Sequence, residues 1–323
     1  MERGIFRKVK SIQKNQFRFD RSATQVVELL FERLQRYEDG LWRGVAAIQS
    51  KGGDISFEDW RVFAESLRID EKYPGINGIG VVHYVTPDNL QDYLSYQRKT
   101  RPTYKLHPPH ENAEFWPISY IVPVAPNAGA VGLDMAHEIN RQSAGQKARD
   151  TGKAQITGPI TFVQDAAKTP GLLFYAPFYA GGHQGGVQSR RKNFVGMVYA
   201  PFVMSKLLDG TLSKENRFVS LSIRDNSDVL YDDNATKTVE LDPNPVFTKT
   251  MSTELYGRTW TFDIASNMAF RDASTNNQPL VVLVGGILID CMLLALFVFL
   301  TRSSRRAVKF SDKMSENYDE KSD

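Results

Sequence analysis

The sequence is poor in cysteine and histidine, with one cysteine, Cys291, and five histidines. A lone cysteine excludes an internal disulfide framework and a cysteine-based zinc site. It leaves the compartment open, because a chain of this length can bury enough core to be stable without disulfides. Excess charge of one sign is also missing. A net charge of +3 over 323 residues is too small to argue for nucleic acid as a partner. Basic residues do cluster at the two ends, in 3–21 and 302–309, and membrane proximity accounts for both clusters. The opening stretch, MERGIFRKVKSIQKNQFRFDRS, lacks the apolar segment of a signal peptide or a membrane helix. Also lacking are GxSxG, HExxH and a glycine-rich loop running into Lys-Ser/Thr, so three large enzyme classes lose their usual signatures. The expectation is a protein that is not an enzyme and carries no cofactor. His107-Pro-Pro-His110 is the one close pair of histidines. Its prolines imply an extended loop with no acid or cysteine beside it, and no metal is assigned there.

What the sequence does have is one long hydrophobic run, PLVVLVGGILIDCMLLALFVFL at 279–300. At about 1.5 Å per residue it can cross a hydrocarbon core of roughly 30 Å. Arg302, Arg305, Arg306 and Lys309 follow it, whereas Arg271 and Asp272 offset one another before it. The positive-inside bias then places the C-terminus in the cytoplasm and the N-terminal bulk outside. An outer region of that size without an export signal implies a first membrane helix encoded upstream of Met1, the sequence being a fragment or having a mis-assigned start. Asp290 sits at mid-span, where a charge is costly and often functional. Gly285-Gly286, one turn earlier, offers a small surface for close helix approach.

With 41% hydrophobic and 24% charged residues, the remainder has a globular composition. Residues 22–50 form a predicted helix, with Val26, Val27, Leu29, Leu30, Leu34, Leu41, Val45 and Ile48 at helical spacing. It serves either as a stalk that pairs with a partner or as a helix packed on its own domain. Ser56 caps a second helix carrying Trp60 and Phe63. Strand-like runs follow at 76–85 and 115–124, the latter at an edge or a bend because of Pro117 and Pro123. After a helix over 140–153, strands at 154–163, 171–179 and 193–202 form an antiparallel meander. A helix at 202–212 and strands at 217–223, 228–231, 246–251 and 256–264 make a second, smaller unit. No internal repeat or low-complexity tract stands out.

Five segments in order resemble one family: YPGINGIGVVHYV (73–85), FWPISYIVPV (115–124), VGLDM (131–135), KARDTGKAQITGPITFVQD (147–165) and LLFYAPFY (172–179). Together they are similar to the CHASE domain, the extracellular sensor of histidine kinases and nucleotide cyclases, over about 57–202. The resemblance implies an α+β fold with a long N-terminal stalk helix, two PAS-like subdomains with antiparallel sheets and a C-terminal transmembrane helix. The implied divisions are a stalk helix (1–54), a distal ligand-binding subdomain (55–202), a membrane-proximal subdomain (203–275), the span (279–300) and a cytoplasmic linker helix (301–323). Ala307, Phe310, Met314 and Asn317 fit a signalling helix leading to a kinase or diguanylate cyclase outside this chain. The alternative is a membrane-anchored binding protein that acts through a separate partner.

The resemblance also implies site residues. In plant members an aspartate that contacts the adenine of a cytokinin falls at Asn140 or Arg141 here, and a pocket threonine falls at Tyr175. Both departures favour a small anionic or aromatic ligand, since a guanidinium suits carboxylate or phosphate. The ligand-binding candidates are Tyr120, Arg141, Thr157, Phe162, Val163 and Tyr175, with Trp116 as a further wall. Other expected partners are the membrane and a second copy of the chain in a homodimer.

Overall fold

The computed structural model describes the backbone of residues 2–161, 170–209, 217–275 and 278–319, and the side chains of 12–161, 170–209, 217–274 and 282–302. It divides into two units, residues 1–271 and 272–323. The first opens with α1 (Glu2–Ser50), which begins well before the predicted start at 22. One stripe of α1 is buried: Phe19, Ala23, Val26, Val27, Leu30, Leu34, Tyr37, Leu41, Val45 and Ile48. These recur every three or four residues, the spacing that keeps side chains on one helical face. The helix reading as packed on its own domain therefore holds for this stripe.

Two short helices, α2 (Phe57–Ser66) and α3 (Ile69–Lys72), lead into β1 (Ile79–His83). Ser56 caps α2 by accepting from the Asp59 amide, as its sequence position implies. Then come α4 (Leu90–Thr100), β2 (Ile118–Val122) and α5 (Ile139–Thr151). The predicted strand at 154–163 is instead two short pieces, β3 (Gln155–Ile156) and β4 (Ile160–Thr161). Gly158-Pro159 lies between them and breaks the ladder, because proline cannot donate to it. The long strands β5 (Pro170–Tyr179) and β6 (Phe194–Val203) flank α6 (Val187–Lys192). The sheet order is β2-β1-β6-β5-β3, with β4 also on β5. The meander of β3, β5 and β6 is present, and β1 inserts between β6 and the edge strand β2. All its pairings are antiparallel.

The chain continues through α7 (Met204–Leu208) to a second sheet of β7 (Val219–Asp225), β8 (Asp228–Asp232), β9 (Thr248–Leu255) and β10 (Arg258–Ser266), in the order β8-β7-β10-β9. A buried pair pins its β7–β8 side. The Arg217 guanidinium meets both oxygens of Asp233, which also accepts from the Tyr231 hydroxyl at 2.7 Å and the Leu221 amide at 2.6 Å. Between β8 and β9 lies α8 (Asp233–Thr236), and α9 (Met268–Thr275) follows β10.

The two sheets share the α1 stripe. Near its start, Phe19 packs on Phe247 and Phe270, and Phe31 packs on Phe262. Further along, Tyr37 meets Tyr73 and Phe202 of the first sheet's layer. A second tie is the β9–β10 turn. The Ile156 amide donates to the Tyr256 carbonyl at 3.0 Å, and the Tyr256 ring lies 4.6 Å from that of Phe174. The second unit contains α10 (Gln278–Asp319), a continuous helix of 42 residues where the sequence suggested a span and a separate linker. Its segment Val282–Arg302 has mean hydropathy 2.7, long and apolar enough to cross a membrane.

Close approach dictates glycine at two positions of the first sheet. A Cβ on Gly145 of α5 would lie 2.2 Å from the Trp116 ring, and one on Gly80 of β1 would lie 2.4 Å from the Tyr199 ring. Trp116 is fully buried and cannot retreat. Gly145→Ala should therefore destabilise the protein by ~1–3 kcal/mol in urea denaturation, although alanine favours a helix by about 1 kcal/mol over glycine. A variant as stable as the parent would mean that α5 is not held against Trp116.

Candidate functional site

Strand alternation gives the first sheet two apolar faces. Phe174, Ala176, Phe178, Val198, Ala200 and Phe202 face the α1 side. Leu173, Tyr175, Tyr179, Met197, Tyr199 and Val203 face the other way, under α5 and the 3-10 turns Ala125–Ala130 and Met135–His137. On that second face lies a cavity of about 630 Å³, within the usual range for small-molecule sites. Its inner wall is Ile118, Ile121, Leu133, Met135, Ile160 and Leu173, with Arg141 and Tyr199. Exposed Asp70 and Lys206 stand at its outer edge.

Arg141 enters this space from the first turn of α5 and is 6% exposed. Glu138 caps that helix, its carboxylate accepting from the Asn140 and Arg141 amides at 2.8 and 3.0 Å. The same carboxylate lies 3.7 Å from Arg141 Nε, too far for a hydrogen bond. Nη2 donates to the Thr161 carbonyl at 3.2 Å, and Nη1 has the Met135 sulfur at 3.9 Å. Nε has no hydrogen-bond partner among the described residues. Neither have the hydroxyls of Tyr175 and Tyr199, both fully buried. These two residues stand directly opposite one another across β5 and β6. Burial pushes both phenols well above their ordinary pKa, against the opposing pull of the Arg141 charge. They are neutral donors at physiological pH. Buried polar groups normally find partners, so the Arg141 Nε and these two phenols stand out on this face.

The six candidates read from the sequence fall in different places. Arg141 lines the cavity, and Tyr175 stands beside Tyr199 on the same sheet face. Thr157 is buried at the break between β3 and β4. Its hydroxyl accepts from the Leu173 amide at 3.0 Å, and its own amide donates to the Leu173 carbonyl at 3.0 Å. It closes the ladder and fixes Leu173, a wall residue. Phe162 and Val163 lie outside the described residues. Tyr120 is on the opposite face, because a register shift at Val81/Val82 turns it toward Phe57 and Arg101. It does not line the cavity. Trp116 packs on Tyr84 and Phe194 under α5, away from the cavity lining.

Tyr199 escaped the sequence reading, yet a signal was there. The tetrapeptide Tyr-Ala-Pro-Phe occurs at both 175–178 and 199–202, and antiparallel pairing sets the two tyrosines face to face. The histidine loop also differs from expectation. His110 lies 2.9 Å from Asp134, an acid distant in sequence, and His107 Nε2 meets the Val131 carbonyl at 3.2 Å. Asp134 accepts from the Trp116 and Ala136 amides. No group of three possible metal ligands occurs among the described residues.

The CHASE domain family profile matches residues 53–239, more than half of the chain. The chain belongs to the CHASE domain family. No curated protein matches it in sequence. Among solved structures, this CHASE protein is similar to the periplasmic sensory domain of the Campylobacter jejuni chemoreceptor Tlp1. The match has 10% identity and TM-score 0.47, covering 78% of this chain and 93% of that one. The ligand-binding domain of the Pseudomonas aeruginosa PAO1 amino acid chemoreceptor PctC, in complex with GABA, matches at 11% identity and TM-score 0.42, covering 79% and 100%.

Beside Tyr120, whose ring packs edge-on against His83, lies a polar network. His83 Nδ1 lies 2.6 Å from Ser119 Oγ, which meets the Tyr93 hydroxyl at 2.6 Å, and Tyr93 meets Tyr104 at 2.7 Å. The His83 residue keeps part of its surface open, but its ring is boxed by Tyr93, Tyr120 and Phe178. Burial lowers its pKa to about 4, with Arg101 adding to the effect and Asp54 opposing it.

Two outcomes are expected. Tyr199→Phe should leave the free protein as stable as the parent or more so, because the hydroxyl it removes has no protein partner. A loss above ~1 kcal/mol in urea denaturation would assign that hydroxyl to the fold. Between pH about 6.5 and about 4, the unfolded chain takes up a proton at His83 that the folded chain refuses. Stability should therefore fall as pH falls through that window, by up to ~1.4 kcal/mol per unit. His83→Gln should remove this slope from the stability-versus-pH curve. An unchanged slope would show that His83 is not its source.

Proposed function

We propose that the chain is the extracytoplasmic sensor region of a transmembrane signalling receptor. A small anionic or aromatic molecule binds in the cavity beneath α5. Its binding is passed through the membrane helix to a cytoplasmic output domain, a histidine kinase or diguanylate cyclase, beyond this chain. The observation that carries this is the cavity itself: a space of ligand size with a largely aliphatic inner wall, lined by Arg141 and Tyr199, whose Nε and hydroxyl have no hydrogen-bond partner among the described residues, with Tyr175 beside Tyr199 on the same sheet face. Membership of the CHASE family supports a sensing role. The apolar segment Val282–Arg302 and the basic residues after it support anchorage with the C-terminus in the cytoplasm.

On this reading Arg141 is the orienting cation, the two phenols supply neutral hydrogen bonds, and the aliphatic wall excludes water. Thr157 holds Leu173 in that wall. Phe162 and Val163 remain candidates for the same site. The receptor acts as a homodimer, with α10 of each copy side by side. Transmission requires that the ligand bind one arrangement of the pair better than the other.

Cys291, the sole cysteine, gives one label position within the span. With the full chain in lipid nanodiscs, a ligand found by thermal-shift screening should change the spin-label distance between the Cys291 residues of two copies. Leu133→Trp, which fills the cavity, should abolish both the thermal shift and the distance change. A ligand that still binds Leu133→Trp would remove the cavity from the mechanism. Absence of a pair distance would remove the homodimer.

A further inference from the structure

We propose that the cavity selects a monocarboxylic acid with an apolar body, an aryl- or alkyl-carboxylate, over amino acids, phosphonates and adenines. This rests on the cavity being the ligand site. It follows from the balance of charge and hydrogen-bonding groups around it.

Arg141 brings a permanent positive charge and a planar fork of donors. Its existing contacts are one backbone carbonyl, one thioether sulfur and the Glu138 carboxylate at 3.7 Å, and its Nε makes no hydrogen bond among the described residues. Glu138, the nearest acid, is spent on the amides that open α5, and its side chain is 36% exposed. A ligand carboxylate can take the guanidinium fork in a bidentate, charge-assisted pair and accept from a neighbouring phenol. One negative charge then meets one buried positive charge.

The competing classes each leave something unmatched. An α-ammonium group would need a buried acceptor. Among the described lining residues the one carboxylate is Asp70, which is exposed at the outer edge. Burying an ammonium without a partner is costly. A doubly charged phosphonate would face a single buried cation, since Lys206 is also exposed. An adenine would forgo the charge-assisted pair with Arg141, and its exocyclic amine would have to turn to a phenol oxygen or to the side-chain oxygen of Asn127, whose amide nitrogen already donates to the Asn77 and Pro123 carbonyls. The remaining inner wall, Ile118, Ile121, Leu133, Met135, Ile160 and Leu173, offers no polar side chain and suits a hydrocarbon or aryl body.

The test is calorimetry on the full chain in nanodiscs at neutral pH with a matched set: phenylbutyrate, phenylbutyramide, homophenylalanine, phenylpropylphosphonate and adenine. Phenylbutyrate should bind at least about tenfold more tightly than each of the others, the gain of a charge-assisted pair. Arg141→Gln should bring its affinity down to that of the amide and leave the amide unchanged. Arg141→Lys, which keeps the charge and loses the fork, should fall between, and serves as the folded control if the glutamine variant is unstable. Tyr199→Phe should weaken the acid and spare the amide. An amide, amino acid, phosphonate or adenine that binds as tightly as the acid overturns the proposal. So does acid binding that neither Arg141 variant weakens, or an acid that does not bind. A non-acid ligand lost in Leu133→Trp would overturn the acid preference and keep the cavity as the ligand site. Binding that persists in Leu133→Trp would instead refute the site.

Discussion

The structure depends on one apolar stripe along α1. A single helix face buries Phe19 to Ile48 against two sheets that pair their strands separately. Each large side chain in such a stripe contributes ~1.5–3 kcal/mol of transfer free energy. The stripe is therefore a major share of what keeps the two sheets in one unit. It is also rigid in a way that a linker is not, because each turn from Phe19 to Ile48 is anchored to a sheet or to the layer beside it. The first sheet is committed on its α1 face, and its opposite face must be covered by other means.

The cover is α5 with the turns before it, and it is an imperfect lid. Close contact is reached at one end, where Gly145 lets the helix backbone sit on Trp116. Toward the start of α5 the layers separate, and Arg141 fills part of the gap with a charged group. An apolar side chain at that position would close the space and stabilise the fold, since a buried charge with incomplete partners is a net cost. The two unmatched phenols add to that cost. Such a concentration of unused donors beneath one helix is hard to explain by stability and simple to explain by binding.

Much of the architecture was legible because it follows from periodicity. The stripe of α1, the alternation of β10, the Ser56 cap and the apolar run of α10 are local patterns, and local patterns survive folding. The breaks in the reading have physical causes. The early start of α1 is missed although Ile5, Val9 and Ile12 fall at helical spacing, because the basic residues between them read as a membrane-proximal cluster. The strand at 154–163 splits because Gly158-Pro159 interrupts a run that hydrophobicity alone treats as continuous. The site divides in the same way. Arg141 and Tyr175 were proposed from family positions, and the structure puts Arg141 in the cavity lining and Tyr175 beside Tyr199. Tyr120 was misplaced because one bulge reverses the face of every residue beyond it. Tyr199 required knowing that two copies of Tyr-Ala-Pro-Phe lie antiparallel, which is a fact of pairing and not of either strand.

The same helix that holds Arg141 also touches the second sheet. Lys147, further along α5, donates to the Gly257 carbonyl at 3.0 Å, in the β9–β10 turn that also pairs with Ile156. Most of α5 packs on its own sheet and on α6, so this lysine and the Ile156 amide are a narrow bridge to the second sheet. On the proposed reading, a ligand that draws Arg141 inward would load this bridge through α5. The free energy available for that work is the difference between matched and unmatched donors, of order 1–3 kcal/mol for each group. That is enough to shift a two-state balance roughly fivefold to more than a hundredfold.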